Sequence, residues 1–206
     1  RAWAALGRAY ANLSLTGLEP ADSLIVLASQ SAGRAVQLDP SMADGYAASG
    51  VVLLNQWKFP AAEAAFRRAV SLEPDNPDNY LEYSSLLFLV GQLDDGLREV
   101  QRMRELDPLS IGAITVKQYM LLMLGRWNEA RAETRAGLEL DSTFVPFYQN
   151  AGLTEAFAGN RDSALVLLKK GYNLDTRLFG NASMVAFGYA AAGDWKGVDR
   201  VRATNT

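Results

Sequence analysis

Leucine recurs at Leu38, Leu72, Leu106, Leu140 and Leu174, always 34 residues apart, and each is followed by an acid: Asp39, Glu73, Asp107, Asp141, Asp175. Glycine keeps the same interval at Gly91, Gly125, Gly159 and Gly193. A fixed period of this length leaves few options. Each unit is one supersecondary element that cannot bury its apolar face alone, so neighbouring units must stack. Within a unit, apolar residues fall three and four apart, as on one face of a helix. In the stretch 43–76 these are Tyr46, Gly50 and Leu53, then Ala62, Phe66 and Ala69. Each unit thus reads as two helices, A and B, joined by a short turn.

The chain divides at this period. The units run from 43 to 76, 77 to 110, 111 to 144 and 145 to 178, with an incomplete unit over 179–206. The first, about 1–42, carries an insertion and a long second helix from about Ala21 to Leu38, ended by Asp39-Pro40. Proline lacks the amide and disfavours helix in the residue before it. Gly17 and Pro20 suit the first turn. Gly91 is expected in a left-handed turn. Asn76, Asp94 and Ser110 are expected caps, and Pro77 suits the first position of a helix. The chain opens Arg1-Ala2-Trp3 and stops partway through a helix, which reads as a fragment of a longer protein.

Composition narrows the function. Net charge is −3, so no basic field favours direct nucleic-acid binding. Cysteine and histidine are both absent, which removes thiolate zinc sites, disulfides and the commonest general base. No cofactor, metal or catalytic residue is expected. No apolar run reaches the length needed to span a bilayer. A cytoplasmic location is expected.

Trp3, Leu6-Gly7 and Tyr10 match the first-helix pattern of tetratricopeptide repeats, and Gly50, Gly91, Ala130 and Gly152 keep the repeat pattern at their places in later units. The chain resembles that family over essentially its whole length. The resemblance implies an all-α solenoid, a right-handed superhelix of about six helix–turn–helix repeats. It further implies a protein–protein interaction scaffold. The run Trp57–Arg68, the long second helix of the first unit and the Leu106–Ser110 segment are similar to arrays fused in bacteria to winged-helix regulators, class III adenylate cyclases or serine/threonine kinases. That narrower likeness implies a regulatory or oligomerising arm, with a small-molecule sensor or a free-standing adaptor as alternatives.

In this fold the A helices line a concave groove. The resemblance places Val51, Asn55, Leu81, Ser85, Phe88, Thr115, Tyr119, Met123, Gln149, Leu153, Phe157 and Phe187 there. So apolar a surface points to an apolar or amphipathic protein segment, or to a second copy of the chain. Burial between curved neighbouring helices is the other reading. Chaperone-type members hold a partner's terminal carboxylate with lysine and asparagine on successive A helices. The matching positions here are Ala47/Val51, Leu81/Ser85, Thr115/Tyr119, Gln149/Leu153 and Ser183/Phe187, none basic, so no such clamp is expected.

Three positions break the pattern. Lys117 and Gln118 stand where other units hold Ser49-Gly50 and Tyr83-Ser84, and Glu155 stands where they hold Leu53, Leu87, Leu121 and Tyr189. Opposite charges in adjacent units suggest a buried Lys117–Glu155 ion pair, since an unpaired buried charge costs roughly 3–5 kcal/mol. The arginines Arg67, Arg68, Arg98, Arg102 and Arg104 are diluted by Glu63, Glu99 and Glu105 and read as a solvated face. Asn12-Leu13-Ser14 and Asn181-Ala182-Ser183 match the glycosylation sequon, a weak signal by itself.

Overall fold

The computed structural model describes residues 1–15, 20–174 and 181–203, and side chains except those of 181–184. The expectations for Gly17 and Asp175 lie outside the described residues, and those for the Asn181–Ser183 sequon and the groove position Ser183 fall on side chains that are not described. Those that are described are all helix and turn. The chain divides into two compact units, Arg1–Pro108 and Leu109–Thr206.

The first unit contains α1 (Ala2–Leu13), α2 (Ala21–Leu38), α3 (Ala43–Asn55), α4 (Phe59–Leu72), α5 (Pro77–Leu89) and α6 (Leu93–Leu106). The second contains α7 (Ile111–Met123), α8 (Trp127–Leu140), α9 (Val145–Phe157), α10 (Arg161–Leu174), α11 (Asn181–Ala191) and α12 (Trp195–Ala203). From α3 to α10 every A helix spans 13 residues and every B helix 14, so the 34-residue sequence period is the period of the helices. Helix α2, with 18 residues, carries the extra length expected of the first unit.

Local chemistry sets the ends. Asn76 accepts from the Asp78 amide at 3.1 Å and Pro77 opens α5. Ser110 Oγ accepts from the Ala113 amide at 3.3 Å. Both satisfy amides that the first turn of a helix leaves free. Asp94 is not a cap. Helix α6 starts one residue before it, and Asp94 lies in the first turn, where its charge favours the helix dipole.

In α3 and α9 the A helix meets its B helix through a glycine. An added Cβ on Gly50 would stand 2.5 Å from the Phe66 ring, and one on Gly152 2.6 Å from Leu168. Phe66 and Leu168 are fully buried. The A–B turns carry glycine at φ +77° (Gly91), +69° (Gly125), +84° (Gly159) and +72° (Gly193). At the same register in the first unit stands Trp57, at φ +59° and 76% exposed. A bulky residue in that region is strained by roughly 1–3 kcal/mol. Its edge contact with Phe59, at a centroid distance of 5.8 Å, offsets part of that cost. Trp57→Gly is therefore expected to raise stability by about 0.5–1 kcal/mol. An unchanged or lower urea midpoint would show the turn to be unstrained.

Candidate functional site

In the first unit the A-helix face is closed over its centre. Helix α3 presents Gly45 to α2, Ala47 to the cluster with Ala69 of α4, and Ala48 and Val51 to the core shared with α1 and α5, all four buried. Ala4 and Ala11 of α1, Ala48 and Val51 of α3, and Tyr83, Leu86 and Leu87 of α5 share one core. Arg8 of α1 and Glu82 of α5 pair directly at 3.5 Å. Burial pushes the Glu82 carboxyl above its ordinary value, with Arg8 opposing and Asp78 adding to the shift. Asn55 is half-buried and donates from Nδ2 to the Ala11 carbonyl at 2.8 Å. Leu81, Ser85 and Phe88 are half-buried, and Ser85 Oγ donates to its own helix at the Leu81 carbonyl.

The second unit repeats this at its centre and opens at its edge. Gln149 and Leu153 of α9 are buried at 7% and 1% exposure. Neighbouring Asn150 donates to the Thr115 carbonyl of α7 at 3.4 Å. Thr115 and Tyr119 are half-buried. Met123, Phe157 and Phe187 are 54%, 50% and 52% exposed, and the two phenylalanine rings lie 6.3 Å apart. The groove positions expected from the sequence therefore separate. Val51, Gln149 and Leu153 are buried, whereas Met123, Phe157 and Phe187 are about half exposed.

The expected Lys117–Glu155 pair does not form, because each charge finds a partner on α8. Lys117 Nζ lies 2.8 Å from Glu133 Oε1. Glu155 accepts from Arg131 Nε at 2.6 Å and Nη2 at 2.9 Å, a bidentate pair, and from Asn160 Nδ2 at 2.7 Å. The Arg131 bonds hold the Glu155 carboxyl below the usual carboxylate range, against the opposing effect of burial. Gln118, fully buried, donates from Nε2 to Thr134 Oγ1 at 2.6 Å and to the Phe147 carbonyl at 3.3 Å. Its Oε1 has no hydrogen-bond partner among the described residues. Lys117-Gln118 and Glu133-Thr134 thus meet as two adjacent pairs with the same offset, 16 residues. That offset also relates Gly50 to Phe66 and Gly152 to Leu168 and identifies the partners of Lys117 and Gln118, whereas Arg131 stands 24 residues from Glu155.

Arg131 also lines a recess of about 250 Å³ with Thr134 and Arg135 of α8, Ala151, Thr154 and Glu155 of α9, and Leu167 of α10. Neither Arg131 nor Arg135 stands out in the sequence as a site residue. On the B helices of the first unit, Arg67 pairs with Glu63 and Arg102 lies near Asp75 and Glu105, as expected for a solvated charged face. Among the described residues, no cluster of acidic side chains could hold a metal, and no helix is long and apolar enough to cross a membrane.

No family model matches the sequence. The Hsp70-Hsp90 organizing protein of Triticum aestivum is 25% identical over 103 residues. The match takes in 50% of this chain and 18% of that protein, so the chain spans under a fifth of the curated relative's length. Among solved structures, YrrB, described as a TPR protein with an unusual peptide-binding site, aligns over 89% of this chain and 90% of its own. Its TM-score is 0.63 at 23% identity. PilW, a type IV pilus biogenesis factor, aligns over 96% of this chain and 91% of its own at a TM-score of 0.75 and 17% identity. A tetratricopeptide repeat protein from Parabacteroides merdae aligns over 96% of this chain and 76% of its own, at 0.71 and 17%. With these likenesses and a 34-residue register of paired helices, the chain has the all-α solenoid fold of the tetratricopeptide repeat.

Proposed function

We propose that the chain is a protein–protein interaction scaffold that holds an apolar or amphipathic polypeptide segment on the ridge Met123, Phe157 and Phe187. The observation that carries this is three large apolar side chains of one unit, each about half exposed, two of them with rings 6.3 Å apart. Isolated exposed apolar residues need no explanation, but a row of them marks a contact surface. Methionine adds adaptability, and the paired rings supply rigid area. The buried centre leaves no trough for an extended peptide along Gln149 and Leu153, so the segment lies along the edge. Catalysis is the weaker reading for a chain without histidine or cysteine. A carboxylate clamp is not proposed despite the co-chaperone relative, since the clamp positions carry no lysine or arginine. By the narrower resemblance, such a scaffold serves as the regulatory or oligomerising arm of a larger signalling or transcription-regulatory protein.

Light scattering coupled to size exclusion, on the wild type and on Met123→Glu/Phe157→Glu, tests the reading. A wild-type dimer that the double variant converts to a folded monomer makes the ridge a self-association surface. If both are monomers, a phage-displayed library of amphipathic helices should yield binders that the variant loses by at least ten-fold. Binders unaffected by the two substitutions would sink the proposal.

A further inference from the structure

The recess on α8, α9 and α10 has a filled counterpart in the first unit, and the comparison shows what is missing. At the second junction of the first unit, Tyr83 of α5 packs on α4. Its hydroxyl accepts from Arg67 Nε at 2.8 Å and donates to Glu63 Oε1 at 3.3 Å, and the Arg67 guanidinium lies 6.0 Å from the ring centroid. Two periods later, 68 residues on, Tyr83 becomes Ala151, Arg67 becomes Arg135 and Glu63 becomes Arg131. The cation is kept and the ring is gone. The carboxylate is supplied instead by Glu155, which Arg131 holds in place. At the following junction the register holds Val185, fully buried in a core that includes Leu165, so the gap belongs to the α8–α9 junction.

We infer that this recess accepts the phenol ring of a tyrosine on a partner polypeptide. The ring lies over Ala151 and against Leu167, with the Arg135 guanidinium on its face. Its hydroxyl accepts from Arg135 and donates to Glu155, as Tyr83 does with Arg67 and Glu63. A volume near 250 Å³ falls below the roughly 300–1,000 Å³ of a small-molecule cleft and matches one large side chain. A second, wider hollow with Asp162, Ser163 and 67%-exposed Val166 shares Glu155 and Leu167 with it. That open neighbour gives room for the chain bearing the ring, which favours a polypeptide over a free aromatic compound. The inference does not depend on the apolar ridge, which lies on other residues.

The test is an amide-resolved NMR titration with N-acetyl-tyrosinamide. Saturable shifts are expected at Ala151, Thr154, Arg135 and Leu167, with N-acetyl-phenylalaninamide binding about ten-fold more weakly for want of the hydroxyl. Arg135→Gln, at an exposed position, should weaken the tyrosine probe by a similar factor and leave Tm unchanged. Ala151→Tyr should restore the internal contact, abolish probe binding and raise Tm by roughly 2–4 °C. Absence of shifts at these amides, equal affinity for the two probes, or a lowered Tm for Ala151→Tyr would each overturn the inference. Tighter binding of unblocked tyrosine than of its amide would overturn the polypeptide source.

Discussion

Phe66→Ala is expected to cost about 3–5 kcal/mol, read as a lowered urea midpoint. Phe66 is fully buried, and so are Ala62 and Ala69 on the same face of α4. Across from it stands Gly50, whose missing side chain is the space the ring occupies, within 2.5–2.8 Å of where a Cβ would be. Gly50, Ala62 and Ala69 offer nothing that could swing into the cavity left by the ring, which places the loss toward the upper end of the range. The same geometry predicts a reversal of sign. Gly50→Ala in the wild type forces a methyl into a ring that cannot retreat and should destabilise by about 1–3 kcal/mol. In the Phe66→Ala background the clash is gone, and the better helix propensity of alanine should stabilise by about 0.5–1 kcal/mol. A double-mutant cycle measures this directly. The same sign in both backgrounds would mean the ring is not held against Gly50.

Gly50 and Phe66 also show why so much of this fold is legible in the sequence. A solenoid repeats its packing solution, so the small–large pair appears again as Gly152 and Leu168, and helix ends recur at fixed intervals. Periodicity also gave the long α2 and the glycine turns. The candidate site was read less well, for physical reasons. The groove positions were assigned by register alone, and register does not encode how closely neighbouring A helices approach. Val51 is buried in the core that Ala48 shares with Ala4 and Ala11 of α1 and Leu86 and Leu87 of α5. Gln149 and Leu153 are buried in turn on α9. The charged positions failed differently. Lys117 and Glu155 stand out as breaks in the register, but a pairing between them leaves out α8, where Glu133 and Arg131 lie within reach. The recess was missed because its signal is a deletion. Ala151 is unremarkable until Tyr83 is seen to fill the equivalent place.

Arg131 and Glu155 separate two explanations for a charge in an apolar register, and the two substitutions should behave in opposite ways. Arg131→Ala leaves a carboxylate that is 9% exposed with only Asn160 as donor, and should cost about 2–4 kcal/mol. Glu155→Leu installs the residue found at Leu53, Leu87 and Leu121 and removes both desolvation and dependence on Arg131, so its effect should stay within about 1 kcal/mol of zero. The pH dependence follows from the depressed carboxyl. A carboxylate whose folded value lies below its unfolded value of about 4.3 stabilises fully above that value and loses the contribution as pH falls through the folded value. In Arg131→Ala burial acts with much less opposition, so protonation relieves a penalty instead of removing a bond. The stability gap between wild type and Arg131→Ala should therefore be widest near neutral pH and shrink as pH falls from about 5 to about 3. Urea midpoints across that range decide the matter. A gap that stays constant would mean that Arg131 acts through its packed stem and not through its charge, because only the charged pair is coupled to the proton.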